Sequence, residues 1–435
     1  MDFEKGIGEE LYDLAGKIFP ICRSITGDGV RETLRILNEY LGKDGLSFEI
    51  TEVPSGSKVL DWTVPKEWRI RDAYVADESG KRVIDFQKNN LHVVGYSLPM
   101  DEWLSKEELG KIIYTQKDQP DVIPYVTSYY KERSGFCISQ KDWDALPEQK
   151  YHVVIDSELF DGSLTYADLV IPGVSEKEIL ITSYTCHPSM ANNECSGPVL
   201  LVALARYVNS LKDRQYTYRF VLNPETIGSI TYLGRNLEHL KKNVIAGVVL
   251  SCVGDDHHYS MIASRYANTL ADKAFETILC DKENYEYYSF LKRGSDERQY
   301  NAPGIELPVV GFCRSKYGEF PEYHTSADNM SYVSAKGFEG SFEVMKDWIN
   351  CLEWNGYYRM TVLGEPQLGK RGLYPTVSQK GSYDGVMAMM NLITYCDGRN
   401  DLFGLSDLID VAPQELIPIV QKLLEHGLLE RIDRE

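Results

Sequence analysis

Between residues 163 and 358, strand-length apolar runs alternate with helix-length runs, and this alternation limits the folds open to the chain. LTYADLVIPG, EILITSYTCH, YRFVLNPE, VIAGVVLSCVG and LPVVGFCR read as strands. GPVLLVALARYVNSL, GSITYLGRNLEHLKK, ANTLADKAFETILCD and AKGFEGSFEVMKDWINCLEWN read as helices. EILITSYTCH is nearly all apolar, as strands buried on both faces are. The pattern predicts an α/β fold with an open, mostly parallel sheet flanked by helices. In such sheets the functional site lies at the carboxyl ends of the strands. His187, Glu225 and Asp255 each follow a predicted strand.

The flanking segments have other textures. Residues 2–42 carry apolar residues at helical spacing, broken by SITGDG at 24–29, and LSFEITEVP reads as a strand. From 55 to 162, short β-like runs such as HVVGYSL, KIIYTQ, YVTSYY and YHVVIDSEL alternate with Pro, Gly and Asp turns, which predicts an inserted all-β domain. After the Gly- and Pro-rich GEPQLGKRGLYPTV come three short helical runs and a possible final strand, the order of a winged helix. The expected organisation is therefore an α/β domain at 1–54 and 163–358, a β insert at 55–162 and a winged-helix domain at 364–435. The second helix of the expected turn, which would have to face DNA, carries Lys422 against Glu415 and Glu425. A DNA reader needs cations facing phosphates, so packing or partner binding is the expected role of this module.

Net charge enters as an exclusion. At −19 the chain is a poor match for nucleic acid or an anionic membrane. The acidic, amphipathic start is unlike a signal peptide, and no run reaches the roughly 20 apolar residues needed to span a bilayer. A cytoplasmic location is expected. The nine cysteines include no CxxC pair and mostly sit in apolar runs, which predicts buried free thiols and no cysteine-based zinc site.

Five polar clusters hold the candidate chemistry: CHPSMANNECSG, NPETIGSI, SCVGDDHHYS, GSDERQYNAPGIELP and PEYHTSADN. His187 and His324 lie in loops dense with small polar residues, and each can either ligate a metal or make a buried hydrogen bond. Glu225 precedes a helix start, where a carboxylate serves as a cap or as a general base. Asp255 opens a polar loop. Asp296, Glu297 and Arg298 mix both charges in one loop, a combination suited to an amine together with a carboxylate. Tyr323 can stabilise an oxyanion or hold substrate backbone, and Arg23 is a further substrate-binding candidate.

The order ILITSYTCHP, NNECSG, PETIG, VVLSCVG, SDERQY, EYHTSADN resembles the zinc-dependent exopeptidase fold shared by aminopeptidases and glutaminyl cyclases. WTVPKEWRIRDAY, IPYVTSYY and EYHTSADN resemble a bacterial branch with an inserted β domain and a C-terminal winged helix. The resemblance implies that His187 and His324 are the first and last zinc ligands and that Glu225 is the general base. It places the bridging aspartate at Asn193, with Glu194 directly after it. The glutamate ligand falls on Thr226, the later aspartate ligand on Ser251, and the aspartate that orients the first histidine on Ser189. Neutral oxygens cannot hold two dications a few ångströms apart. The resemblance therefore implies one zinc, held by His187 and His324 with Glu194 or Asn193, and with Asp255 as another donor. The expected function is an aminopeptidase-type hydrolase that cleaves a small peptide or amide with a zinc-activated water. The rival expectation is an altered scaffold that binds a metabolite or a protein partner without hydrolysis, and a cyclase or transferase of the same fold stays open.

Overall fold

The computed structural model describes residues 6–129, 131–373 and 384–432. It falls into two compact units, Met1–Ala271 with Glu283–Phe342 and Asp272–Lys282 with Glu343–Glu435. Small parts of the helical start, the YVTSYY run and the GEPQLGKRGLYPTV loop lie outside the described residues.

The first unit is built on an eight-stranded sheet. In spatial order its strands are Glu49–Pro54, Ser163–Ile171, Thr217–Asn223, Glu178–Tyr184, Val244–Leu250, Val309–Cys313, Tyr259–Ile262 and Tyr285–Tyr288. The centre is parallel and the flanking pairings are mixed. Every residue of Glu178–Tyr184 and Val309–Cys313 is buried, which matches their largely apolar sequence. The last two strands of that order, Tyr259–Ile262 and Tyr285–Tyr288, had no counterpart in the sequence reading. Four residues each, rich in tyrosine, they are too short to show a period.

Helix Ser196–Ser210 is apolar nearly all round, and it is buried nearly all round, against the central strands and helices Ile7–Ile18 and Asp28–Leu41. Gly197 sets its approach. A Cβ there would lie 2.2 Å from Ser183 Oγ and 2.6 Å from the Leu250 carbonyl oxygen. The glycine of CHPSMANNECSG thus lets the helix start directly over two strands. Gly197→Ala should lower stability by about 1–3 kcal/mol, the usual range for overpacking, read from the midpoint of denaturant unfolding.

The insert contributes a separate four-stranded antiparallel sheet in the order Arg82–Asp85, Glu67–Ala76, Lys150–Phe160, Met100–Ser105. The second unit contains helices Asp384–Tyr395, Leu402–Ile409 and Pro413–Glu425, together with an antiparallel pair, Tyr357–Met360 and Leu429–Ile432. The first strand of that pair also escaped the sequence reading. The unit takes in helix residues that the sequence assigns to the α/β domain, because Phe275 stacks on buried Trp348 at 5.1 Å. Seven of the nine cysteines are buried and all nine are unpaired. Among the described residues no helix is long and apolar enough to cross a membrane.

Candidate active site

Sheet register brings the first two site residues together. Tyr184 pairs with Asn223 in the parallel ladder, so both chains leave the sheet at the same level. Two or three residues later, His187 Nε2 lies 3.7 Å from Glu225 Oε2. The other neighbouring strand pairs Thr182 with Val249, which brings Ser251 beside Tyr184, and the two hydroxyls are hydrogen-bonded.

His324 arrives from the opposite side. Its backbone sits in the left-handed region at φ 55°, which is uncommon for a residue with a side chain. The insert holds it there. Tyr125 N donates to the His324 carbonyl oxygen at 2.9 Å, Pro124 bridges Thr325, and Ser326 N donates to the Ile123 carbonyl oxygen. The rings of His187 and His324 lie 5.3 Å apart, each packs against Tyr125, and Tyr323 stacks on His324 at 3.9 Å. Trp62, Tyr125, Tyr129, Cys186, Arg298 and Gln299 help to line a cavity of about 500 Å3 around His187, Glu225 and His324.

Glu194 turns inward, but to the far side of the histidine. Its Oε2 accepts from His187 Nδ1 at 2.8 Å, and its Oε1 lies 3.6 Å from Arg23 Nε. A carboxylate on Nδ1 fixes the ring and leaves Nε2 toward the cavity. Glu194 is therefore placed to orient His187, a task the resemblance assigned to the position of Ser189, and it stays within reach of a cation on the Nδ1 side of the ring. Ser189 Oγ instead donates to the Phe19 carbonyl oxygen. Cys186 Sγ, His187 Nδ1 and a Glu194 oxygen do lie within 4.8 Å of one another. Arg23 beside Glu194 opposes a cation on that side of the ring.

Other expectations change as well. Arg23 is 1% exposed and donates to the carbonyl oxygens of His187 and Ile18, to Thr33 Oγ1 and to Cys195 Sγ, so it is a structural group and not a substrate contact. Asp255 is fully buried and does not line the cavity of His187 and His324. Its oxygens accept from Asn192 Nδ2, Ser315 N, Ser315 Oγ and His257 N, which removes it from the ligand set. Asp296 and Glu297 are buried. Asp296 accepts from Asn223 Nδ2, Thr226 N and Ser229 Oγ, and Glu297 from Gly294 N, Ser295 N and Tyr317 Oη. Neither lines the cavity, and of that loop's charges only Arg298 does.

Asp328 and Tyr125 had no role in the sequence reading. Asp328 ties down the turn Ala191–Cys195 by accepting from Asn192 N and Asn193 N at 2.6 and 2.9 Å. Asn193, at the bridging position, donates through Nδ2 to Tyr184 Oη and Cys252 Sγ. Its Oδ1 and the Nε2 of His324 are buried without a hydrogen-bond partner. Asn193, Tyr184, Ser251 and Cys252 thus form a neutral cluster where a second dication would need anionic oxygens. A neutral cluster of this kind does not fit a second dication.

Titration follows burial. His187 and His324 are held down to about 3, chiefly by burial, then by Arg23 and by His187 respectively. Burial pushes Glu194 up to about 8 against the opposing Arg23. It pushes Glu225 up to about 8 as well, helped by Asp296 and opposed by Arg298. Raised carboxyls stabilise the fold below their ordinary 4.5, and that contribution is lost as pH rises through about 8. Depressed imidazoles stabilise it above their ordinary 6.5, and that contribution is lost as pH falls through about 3. Between these ordinary values the two trends offset. In chelator, the denaturation midpoint should therefore be higher near pH 6 than near pH 8.5, and Glu225→Gln should flatten that alkaline limb.

An eight-stranded sheet with a parallel centre, a paired-histidine cavity at its strand ends and a winged-helix unit define an aminopeptidase-like protein of the α/β class. The zinc aminopeptidase BSAP of Bacillus subtilis shares the fold, with 12% identity and a TM-score of 0.58 over 79% of this chain and 94% of that one. The chain belongs to the family described as Domain of unknown function (DUF4910), whose profile covers residues 12–355, and a winged helix-turn-helix profile covers 356–431. A Clostridium acetobutylicum relative named "Putative polysaccharide biosynthesis protein with aminopeptidase-like domain" is 45% identical over 403 residues, 92% of this chain and 91% of the relative. A crystal structure of a "putative peptidase" from Clostridium acetobutylicum is 43% identical, with a TM-score of 0.90 over 98% of this chain and 96% of that one.

Proposed function

We propose that this protein is a single-metal amidohydrolase acting on a small peptide or another compact amide. The acylated amino sugars that polysaccharide biosynthesis uses belong to the same chemical class. The observation that carries the reading is the pair of buried histidine rings, His187 and His324, 5.3 Å apart in a cavity that also holds Glu225, with His324 Nε2 free of a hydrogen-bond partner among the described residues. His187, His324 and the Asn193 carbonyl oxygen would hold one zinc ion. When bound, that ion supplies a Lewis acid for the carbonyl of the scissile amide.

The remaining chemistry belongs to the chain. Glu225 takes a proton from the attacking water as its oxygen bonds to the carbonyl carbon, and returns it to the amide nitrogen as the C–N bond breaks. The products are a carboxylic acid and an amine. Glu194 and Arg23 keep the His187 ring turned toward the cavity. Tyr323, whose phenol is held well above its ordinary range by burial, stays protonated and donates to the developing oxyanion. Residues 1–54 and 163–358 are assigned to the hydrolase domain and 55–162 to an insert that walls the site. Residues 364–435 are assigned to a winged-helix module that contacts protein, because its helix Pro413–Glu425 carries Lys422 against Glu415 and Glu425.

Elemental analysis of the purified, zinc-equilibrated protein tests the reading. About one zinc per chain is expected, falling to a small fraction in His324→Ala. A protein that takes up no stoichiometric zinc is instead a metal-free binding scaffold, the reading favoured by Thr226 and Ser251 at the former ligand positions.

A further inference from the structure

We infer that Arg298 forms an anion-binding subsite beside Glu225, so that the amide substrate carries a carboxylate or a phosphate group. This inference rests on the hydrolytic reading of the same cavity and specifies its substrate class.

The segment Asp296–Arg298 offers three consecutive charges, and burial withdraws two of them. Asp296 is 1% exposed and Glu297 is fully buried, each with three hydrogen-bond donors from the protein. A substrate amine reaching this wall meets no available carboxylate from the loop. Arg298 alone is presented to the cavity.

Its placement is built. Arg298 Nη2 donates to Thr226 Oγ1 at 2.6 Å. Thr226 holds φ 65° and ψ −77°, a costly conformation for a β-branched residue. Asp296 fixes that conformation by accepting from Thr226 N at 2.7 Å. The loop thus grips the strained backbone at one end, and the strained residue's hydroxyl grips the arginine at the other. Thr226 occupies the position where the fold's resemblance predicts a glutamate ligand. A hydroxyl there, with a guanidinium on it, puts a fixed positive group where a second metal ion would lack its anionic oxygen.

Arg298 is exposed at the cavity and makes one hydrogen bond and no ion pair among the described residues, which leaves most of its planar set of N–H donors open to a ligand. Such a fork takes two oxygens of a carboxylate or phosphate at once. Among the described residues lining the cavity, the only carboxyl group is that of Glu225, the proposed base. In a chain of net charge −19, an isolated arginine in a cavity also gives an anion a local route past an otherwise repelling surface.

Calorimetric titration of the full-length protein tests this without turnover, using N-acetylglycine, N-acetylglycinamide, glycinamide and inorganic phosphate in the presence of chelator. N-acetylglycine should bind at least about tenfold more tightly than its amide. Arg298→Gln should remove that preference while leaving the unfolding midpoint unchanged. Displacement of N-acetylglycine by phosphate at lower concentration than itself assigns the subsite to phosphorylated substrates, and weaker displacement assigns it to carboxylates. Equal affinities for the acid and its amide overturn the inference, as do tightest binding of glycinamide, a preference that survives Arg298→Gln, and no heat from either anion. Because binding is read without hydrolysis, an inactive protein that still prefers the acid sinks the hydrolytic reading alone.

Discussion

Glu225→Gln should reduce amide hydrolysis by about two to four orders of magnitude, the span usually lost with a general base. The substitution keeps the shape of the side chain and removes the proton acceptor 3.7 Å from His187 Nε2. Zinc content should stay near the wild-type value, since the proposed ligands are His187, His324 and Asn193. The unfolding midpoint near pH 6 should move little, because burial already favours the uncharged form of this carboxyl there. The informative comparison is therefore turnover against metal content in the same preparation. Turnover within threefold of wild type would remove Glu225 from the mechanism, whereas lost turnover accompanied by lost zinc would make it a ligand.

Arg23→Met should cost about 3–5 kcal/mol of stability, the loss seen when one partner of a buried charge network is removed. Its guanidinium ties the break between the first two helices to the His187 carbonyl oxygen, the Ile18 carbonyl oxygen, Thr33 and Cys195, and lies 3.6 Å from Glu194. Methionine fills the space and satisfies none of those acceptors. Chemical unfolding measures the loss directly. A substrate-binding Arg23 would give the opposite signature, a raised KM with an unchanged midpoint, and that pattern would overturn the structural role assigned to it.

The alternation of strands and helices made the α/β frame legible, because burial on both faces leaves an unbroken apolar run that side-chain chemistry alone reveals. It also put His187 and Glu225 at strand ends, and the register of one ladder then brings them within a few ångströms. The direction taken by Glu194 was not legible. That depends on Arg23, whose bond to His187 spans 164 residues. Asp255, Asp296 and Glu297 read as free polar groups because nothing local announces the backbone N–H and hydroxyl donors that consume them. Tyr125 belongs to a run that reads as an ordinary strand, and its place between the two histidines comes from tertiary contact alone. Strands of four residues, such as Tyr285–Tyr288, are shorter than any window in which periodicity can be counted.

The stitching of residues 123–125 to 324–326 has a consequence for the order of events during folding. Ile123 N donates to Ser326 Oγ across 203 residues of chain, and the same short ladder holds His324 in its left-handed backbone. Closing a loop of that length is slow and comes after local structure has formed. The frame can condense while the last histidine is still unplaced. Catalytic competence should consequently lag behind the recovery of secondary structure during refolding, and a nascent chain should acquire its site only after residue 326 has left the ribosome.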